Sequence, residues 1–112
     1  MELTVLDISN YQKWIIDFYK QRGWYALDPF IRLNFLTEEV GEVSRAVRAI
    51  EIGRDRPDEE SLSEETYKTH LKEELGDVLD NILILADKYD ISLEEIIEAH
   101  QSKLRNRFSV SE

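Results

Sequence analysis

The chain has no cysteine, which removes disulfides, thiolate nucleophiles and Cys-containing zinc sites from consideration. Cations are scarce: 14 Lys and Arg stand against 24 Asp and Glu, for a formal net charge of -10. A protein that holds a nucleic-acid polymer by neutralising phosphates needs a dense basic surface, so that class is excluded. Free nucleotides are not, because divalent cations gathered by carboxylates can bridge to a polyphosphate. The opening residues, Met1 to Asp7, lack a basic region and a continuous apolar run, and no later stretch is as apolar as a membrane span requires. These absences predict a soluble cytoplasmic protein. With 112 residues and 42% hydrophobic content, the expectation is one compact domain over residues 1–112.

Proline and glycine are few, 2 and 4, and several of them punctuate helical segments. Ser9 with Gln12 reads as a capping box opening a first helix that stops at Gly23. Asp28-Pro29 is a cap followed by proline at the first helical position, opening a long second helix that ends at Gly53. The charged stretch Arg54-Asp55-Arg56-Pro57-Asp58-Glu59-Glu60 has no apolar period and reads as a loop. Ser61 with Glu64 starts a third helix reaching about Tyr89, and Ser92 with Glu95 a fourth reaching about Arg107. No segment alternates as a strand would. The predicted fold class is all-α, an antiparallel arrangement of four helices of bundle type.

The second helix carries Leu36, Val40, Val43, Val47 and Ile50 at spacings of four and three, and the third carries Leu71, Leu75, Val78, Ile82 and Leu85 in the same rhythm. Leu36-Thr37-Glu38-Glu39-Val40-Gly41-Glu42-Val43 aligns with Leu71-Lys72-Glu73-Glu74-Leu75-Gly76-Asp77-Val78, an internal repeat at an offset of about 35 residues. Two copies of one helical unit joined by a short loop form a hairpin whose approximate twofold symmetry brings equivalent side chains together.

At about 100° per residue, Glu39 and Glu42 lie roughly 60° and 120° to one side of Leu36, and Glu74 and Asp77 lie likewise beside Leu71. Phe35, Ala46, Asn81 and Ile84 share that side, so these acids flank apolar and neutral positions instead of opposing them. Several carboxylates brought together there need protons or cations to offset desolvation and repulsion. Acidic pairs on helices are ordinarily solvated faces; the duplication is what singles these out. Oxygen-only ligation favours Mg²⁺ or Mn²⁺ over Zn²⁺, and the missing Glu-x-x-His pattern argues against a di-iron bundle. His70 and His100 occupy no ligand position. Gly41 and Gly76, unfavourable inside helices, are expected to permit close backbone approach.

Glu38-Glu39-Val40-Gly41-Glu42 followed by Glu74-Leu75-Gly76-Asp77 resembles the Glu-Glu-x-x-Glu and Glu-x-x-Asp motif of the MazG-like all-α nucleoside triphosphate pyrophosphohydrolase superfamily. The resemblance covers most of the chain. It includes the tail Lys103-Leu104-Arg105-Asn106-Arg107-Phe108, where Asn106 stands in place of a frequent second arginine. It implies Mg²⁺-dependent hydrolysis of a (d)NTP between the α and β phosphates, housecleaning of non-canonical nucleotides included. Glu39, Glu42, Glu74 and Asp77 would be metal ligands, and Glu38 a catalytic residue orienting the attacking water or ligating the metal.

For the substrate, the expected contacts are Lys103 and Arg107 to phosphate, Asn81 to sugar or base, Trp14 to a stacked base, and Arg54 and Arg56 as further phosphate ligands. Each has a plainer reading: cations complementing a helix C-terminus, a core-edge amide, a core aromatic, solvated loop arginines. The apolar seams exceed what one chain needs, so a homodimer or homotetramer is expected. Two alternatives stay open: a helical interaction module whose acids bind no metal, and a relative selective for dUTP, dCTP or phosphoribosyl-ATP.

Overall fold

The computed structural model describes residues 7–53, 57–58 and 61–109. Among them are four helices and no strand: α1 (Ile8–Gln21), α2 (Pro29–Ile52), α3 (Glu64–Asp87) and α4 (Leu93–Phe108). The fold class is all-α, as the periodicity predicts. No helix among the described residues is long and apolar enough to cross a membrane.

Two helix starts fall where the caps place them. Asp28 Oδ1 accepts from Phe30 N at 2.7 Å, with Pro29 in the first turn. Ser92 Oγ accepts from Glu95 N at 3.1 Å while Glu95 Oε1 accepts from Ser92 N at 2.8 Å, a complete capping box. Two starts differ. α1 is capped by Asp7, whose Oδ1 accepts from Ser9 N and Asn10 N at 3.0 and 3.3 Å; a carboxylate at that position answers the positive end of the helix as well as its free amides. α3 is capped by Ser63, not Ser61: Ser63 Oγ accepts from Thr66 N at 3.1 Å, and Glu64, the expected reciprocal partner of Ser61, lies 3.7 Å from Lys68 Nζ instead.

Gly23 and Gly53 end their helices at φ 76° and 90°, a region where a Cβ is strained. α3 stops at Asp87, earlier than Tyr89, because Asp90 turns to φ 60° and Ile91 N closes onto Ala86 O at 3.0 Å. The expectation for Gly41 and Gly76 is corrected. A Cβ at either would meet nothing within 4 Å among the described residues, so neither marks a close backbone approach within the chain.

The structure divides into two compact units. The first takes its described residues from Met1–Leu27 and Leu83–Glu112. Its core is Ile15, Leu83 and Ile84, with Tyr11, Ile16, Phe18, Tyr19, Tyr25 and Leu93 packed around them. Gln12, predicted to cap its own helix, is buried and ties α1 to α4: its Nε2 donates to Ile91 O at 3.4 Å and its Oε1 accepts from Leu93 N at 3.0 Å. One amide thus satisfies a first-turn N–H of α4 that has no intrahelical acceptor. Tyr25 donates to Asp87 Oδ2 at 2.7 Å, and burial together with that bond pushes its hydroxyl up to about 12.

The second unit is Asp28–Ile82, holding α2 and most of α3. Arg32 bonds Asn81, and two turns further along α2 the carboxylate of Glu39 meets those of Glu74 and Asp77. Partner numbers fall as α2 advances, so the two helices run antiparallel, as the hairpin reading requires. In each predicted seam every second position is covered only in part: Leu36, Val43, Ile50, Leu71, Val78 and Leu85 are half-buried, whereas Val40, Val47, Leu75 and Ile82 are exposed.

Candidate metal centre

The repeat places its acids as two-turn stripes, and the antiparallel pairing of α2 with α3 brings part of each stripe together. Glu39, Glu74 and Asp77 each offer a carboxylate oxygen, and these oxygens lie within 4.8 Å of one another. Glu39 and Glu74 are half-buried and Asp77 is exposed. Exposed acids often cluster on helices with no ligand; the electrostatics here add something more specific. Burial, then Asp77, Glu74, Glu42 and Glu38 in turn, push the Glu39 carboxyl above its ordinary value. Burial, then Asp77, Glu42 and Glu73, push Glu74 up, with His70 giving partial relief.

Negative charge is thus concentrated where water is partly withdrawn, the condition that a bound cation removes. The donor chemistry fits a hard ion. Oxygens on one Mg²⁺ at about 2.1 Å are at most roughly 4.2 Å apart, so small side-chain rotations bring a 4.8 Å cluster within one coordination sphere. The all-oxygen set suits Mg²⁺ or Mn²⁺ and offers nothing to a soft metal.

The other predicted residues are placed as follows. Glu42 stands outside the cluster of three and lies 3.7 Å from Arg45 Nη1, in an exposed pair that contributes at most about 1 kcal/mol. Glu38 is exposed. Asn81 is buried, its Oδ1 accepting from Arg32 Nη1 at 2.9 Å and its Nδ2 donating to Asp77 O at 2.8 Å. Trp14, in the first unit, is exposed on one edge and rests against Phe18 at 5.3 Å and Tyr11 at 5.9 Å between centroids. Lys103 and Arg107 are exposed on α4, also in the first unit. Arg54 and Arg56 lie outside the described residues.

Sequence reasoning passed over Arg32. It is only 4% exposed, and its position seven residues before Glu39 puts it on the same stripe of α2. That spacing was the available signal.

Residues 31–109 match the family described as the MazG nucleotide pyrophosphohydrolase domain. The chain is 54% identical over 103 residues to the uncharacterized protein YvdC of Bacillus subtilis (strain 168), an alignment covering 92% of this chain and 97% of that one. Its fold superimposes on the crystal structure of YPJD from Bacillus subtilis, a protein provisionally ascribed pyrophosphatase activity, with a TM-score of 0.68 and 27% identity over 90% of this chain and 97% of the other.

Proposed function

Because this chain belongs to the MazG nucleotide pyrophosphohydrolase family, and is thereby a hydrolase of pyrophosphate bonds, we propose that it converts a (d)NTP to the (d)NMP and pyrophosphate in a Mg²⁺-dependent reaction. The observation that carries the reading is the meeting of Glu39, Glu74 and Asp77 within 4.8 Å, with Glu39 and Glu74 raised in pKa by burial and then by neighbouring acids, Asp77 first among them. Glu39, Glu74 and Asp77 hold the ion, and Glu42 joins them, since its weak pair with Arg45 does not prevent it from turning inward. Mn²⁺ substitutes. The ion, when bound, neutralises phosphate charge and lowers the pKa of a water.

The remaining chemistry falls to the chain. Glu38, exposed one residue before Glu39, orients the attacking water; the water oxygen bonds to the α-phosphorus as its proton passes to solvent, the bond from that phosphorus to the bridging oxygen breaks, and pyrophosphate departs with that oxygen. Positioning of this kind accounts for most of the catalysis in phosphoryl and nucleotidyl hydrolysis. Trp14 for the base, and Lys103, Arg107, Arg54 and Arg56 for phosphate, are assigned on residue type and on the family resemblance. The cytoplasm, where free nucleotides are abundant, is the proposed site of action, and non-canonical nucleotides are the proposed substrates.

Incubating the purified protein with a panel of canonical and modified (d)NTPs and Mg²⁺ releases pyrophosphate and monophosphate in equal amounts from at least one of them. Orthophosphate and a diphosphate as products, or no turnover of any nucleotide, would reject the reading.

The active species is proposed to be a homodimer or a dimer of dimers. Val40 at 52%, Val47 at 42%, Leu75 at 50% and Ile82 at 37% remain exposed at repeat-related positions of the two seams, apolar side chains that a second copy of the chain would cover. Light scattering at micromolar concentration is expected to give at least twice the 13.2 kDa chain mass; a monomer throughout that range contradicts it.

A further inference from the structure

Of the three buried polar residues among those described, Gln12 is explained by the start of α4, while Arg32 and Asn81 form a pair that lies one turn from Asp77 along α3 and two turns from Glu39 along α2. A guanidinium only 4% exposed is expensive to bury, and packing alone does not call for one. The two bonds of Asn81 define what it does. Its Oδ1 accepts from Arg32 Nη1 at 2.9 Å, and its Nδ2 donates to Asp77 O at 2.8 Å. The reversed carboxamide would point an N–H at a guanidinium that has no acceptor and an oxygen at a carbonyl, so Arg32 permits one orientation only. In that orientation Asn81 tethers the turn of α3 that carries Asp77, and through Arg32 the tether reaches α2 on the stripe that carries Glu39.

We propose that Arg32 is a positioning residue for the carboxylate cluster: acting through Asn81, it clamps α2 to α3, one turn from Asp77 and two turns from Glu39, and holds Asp77 opposite Glu39. It touches neither metal nor substrate. The inference rests on the reading of the cluster as a cation site. Arg32 lies on α2 two turns from Glu39, and the contribution assigned to it is geometric.

The test is Mg²⁺ and Mn²⁺ titration by calorimetry of the full chain, with steady-state kinetics alongside. Arg32→Met is expected to weaken metal affinity by about 10–100-fold, the range typical of groups that orient ligands without being ligands. It should lower kcat at subsaturating metal while leaving the KM for nucleotide within about twofold of wild type. Arg32→Lys, which can still donate to Asn81 Oδ1, restores part of the affinity.

Arg32→Met leaves Asn81 Oδ1 buried without its donor and is liable to unfold. The double variant Arg32→Met/Asn81→Leu removes both partners at once, a change far better tolerated by the fold, and should show the same weakened affinity at temperatures well below its Tm. A folded double variant that binds Mg²⁺ as wild type does overturns the clamp, as does a rise in KM with metal affinity unchanged. Wild-type protein that binds neither cation overturns the cluster assignment itself, a result distinguishable from failure of the clamp.

Discussion

Replacing Glu39 with alanine is expected to abolish pyrophosphate release while the chain stays folded. Loss of a group that merely orients a ligand weakens a metal site by about 10–100-fold, so removal of Glu39, a proposed ligand, should lower kcat/KM by at least about 100-fold. Asp77→Ala, on the facing helix, should match it. The effects of the two substitutions together should be well short of additive, because either one alone already dismantles the shared site. Circular dichroism checks the fold and pyrophosphate release checks the chemistry. Full turnover in either variant removes the ligand assignment.

The same position carries a stability signature of opposite sign. In the metal-free protein the Glu39 carboxyl is held above its ordinary value of 4.5 by burial and by Asp77, Glu74, Glu42 and Glu38, so its ionised form opposes folding. A group whose folded pKa is raised in this way withdraws stability as pH climbs through 4.5 and toward the folded value. Glu39→Gln should therefore raise the Tm of the metal-free protein at pH 7, and the gain should fade as pH drops below 4.5, where wild type becomes protonated as well. Saturating Mg²⁺ should reverse the order, since only wild type gains from binding. Thermal scans at two pH values, with and without the ion, read all four states. A site whose residues are arranged for function at the expense of folding behaves in this way.

Leu83→Ala is expected to be the most destabilising single substitution in the first unit. Leu83 and Ile84 are 0% exposed, and with Ile15 they make up its buried core. Truncation removes burial energy and leaves a cavity that rigid helices cannot collapse, which together cost about 2.7–5 kcal/mol. Against a total of about 5–15 kcal/mol for a domain, that is a large fraction, so Tm should fall by roughly 10–25 °C. Tyr89→Ala, at a position 61% exposed, should stay within about 0.5 kcal/mol of wild type. Denaturant unfolding followed by circular dichroism compares them, and a loss under about 1 kcal/mol for Leu83→Ala would show that the core is looser than its burial indicates.

The helices were legible because their signals are local. Asp28 with Pro29, Ser92 with Glu95, and glycine at 23 and 53 each act over a turn or less, and each behaves in the structure as its chemistry dictates. Misplaced starts arose where two local partners competed. Asp7 outcompetes Ser9 because a carboxylate caps and also answers the helix dipole. Ser63 displaces Ser61 because α3 begins at Glu64, which makes Ser63 the residue whose hydroxyl reaches Thr66 N. Gln12 has the spacing of a capping residue, yet its amide serves another helix; nothing within a few residues of Gln12 encodes that.

By itself the sequence determined that the chain is all-α, where its four helices lie to within a few residues, and that two of them repeat an acidic turn. These follow from propensity, capping and period, all of which are written in neighbouring residues. Only the tertiary structure decided which acids converge. Glu39, Glu74 and Asp77 meet, while Glu42 lies beside Arg45 and Glu38 stays outward, because an equivalent position in the repeat becomes an equivalent position in space only through the angle and offset at which two helices cross. The buried link from Arg32 to Asn81 belongs to the same category: a contact between residues far apart in the chain, set by packing and invisible to any local pattern.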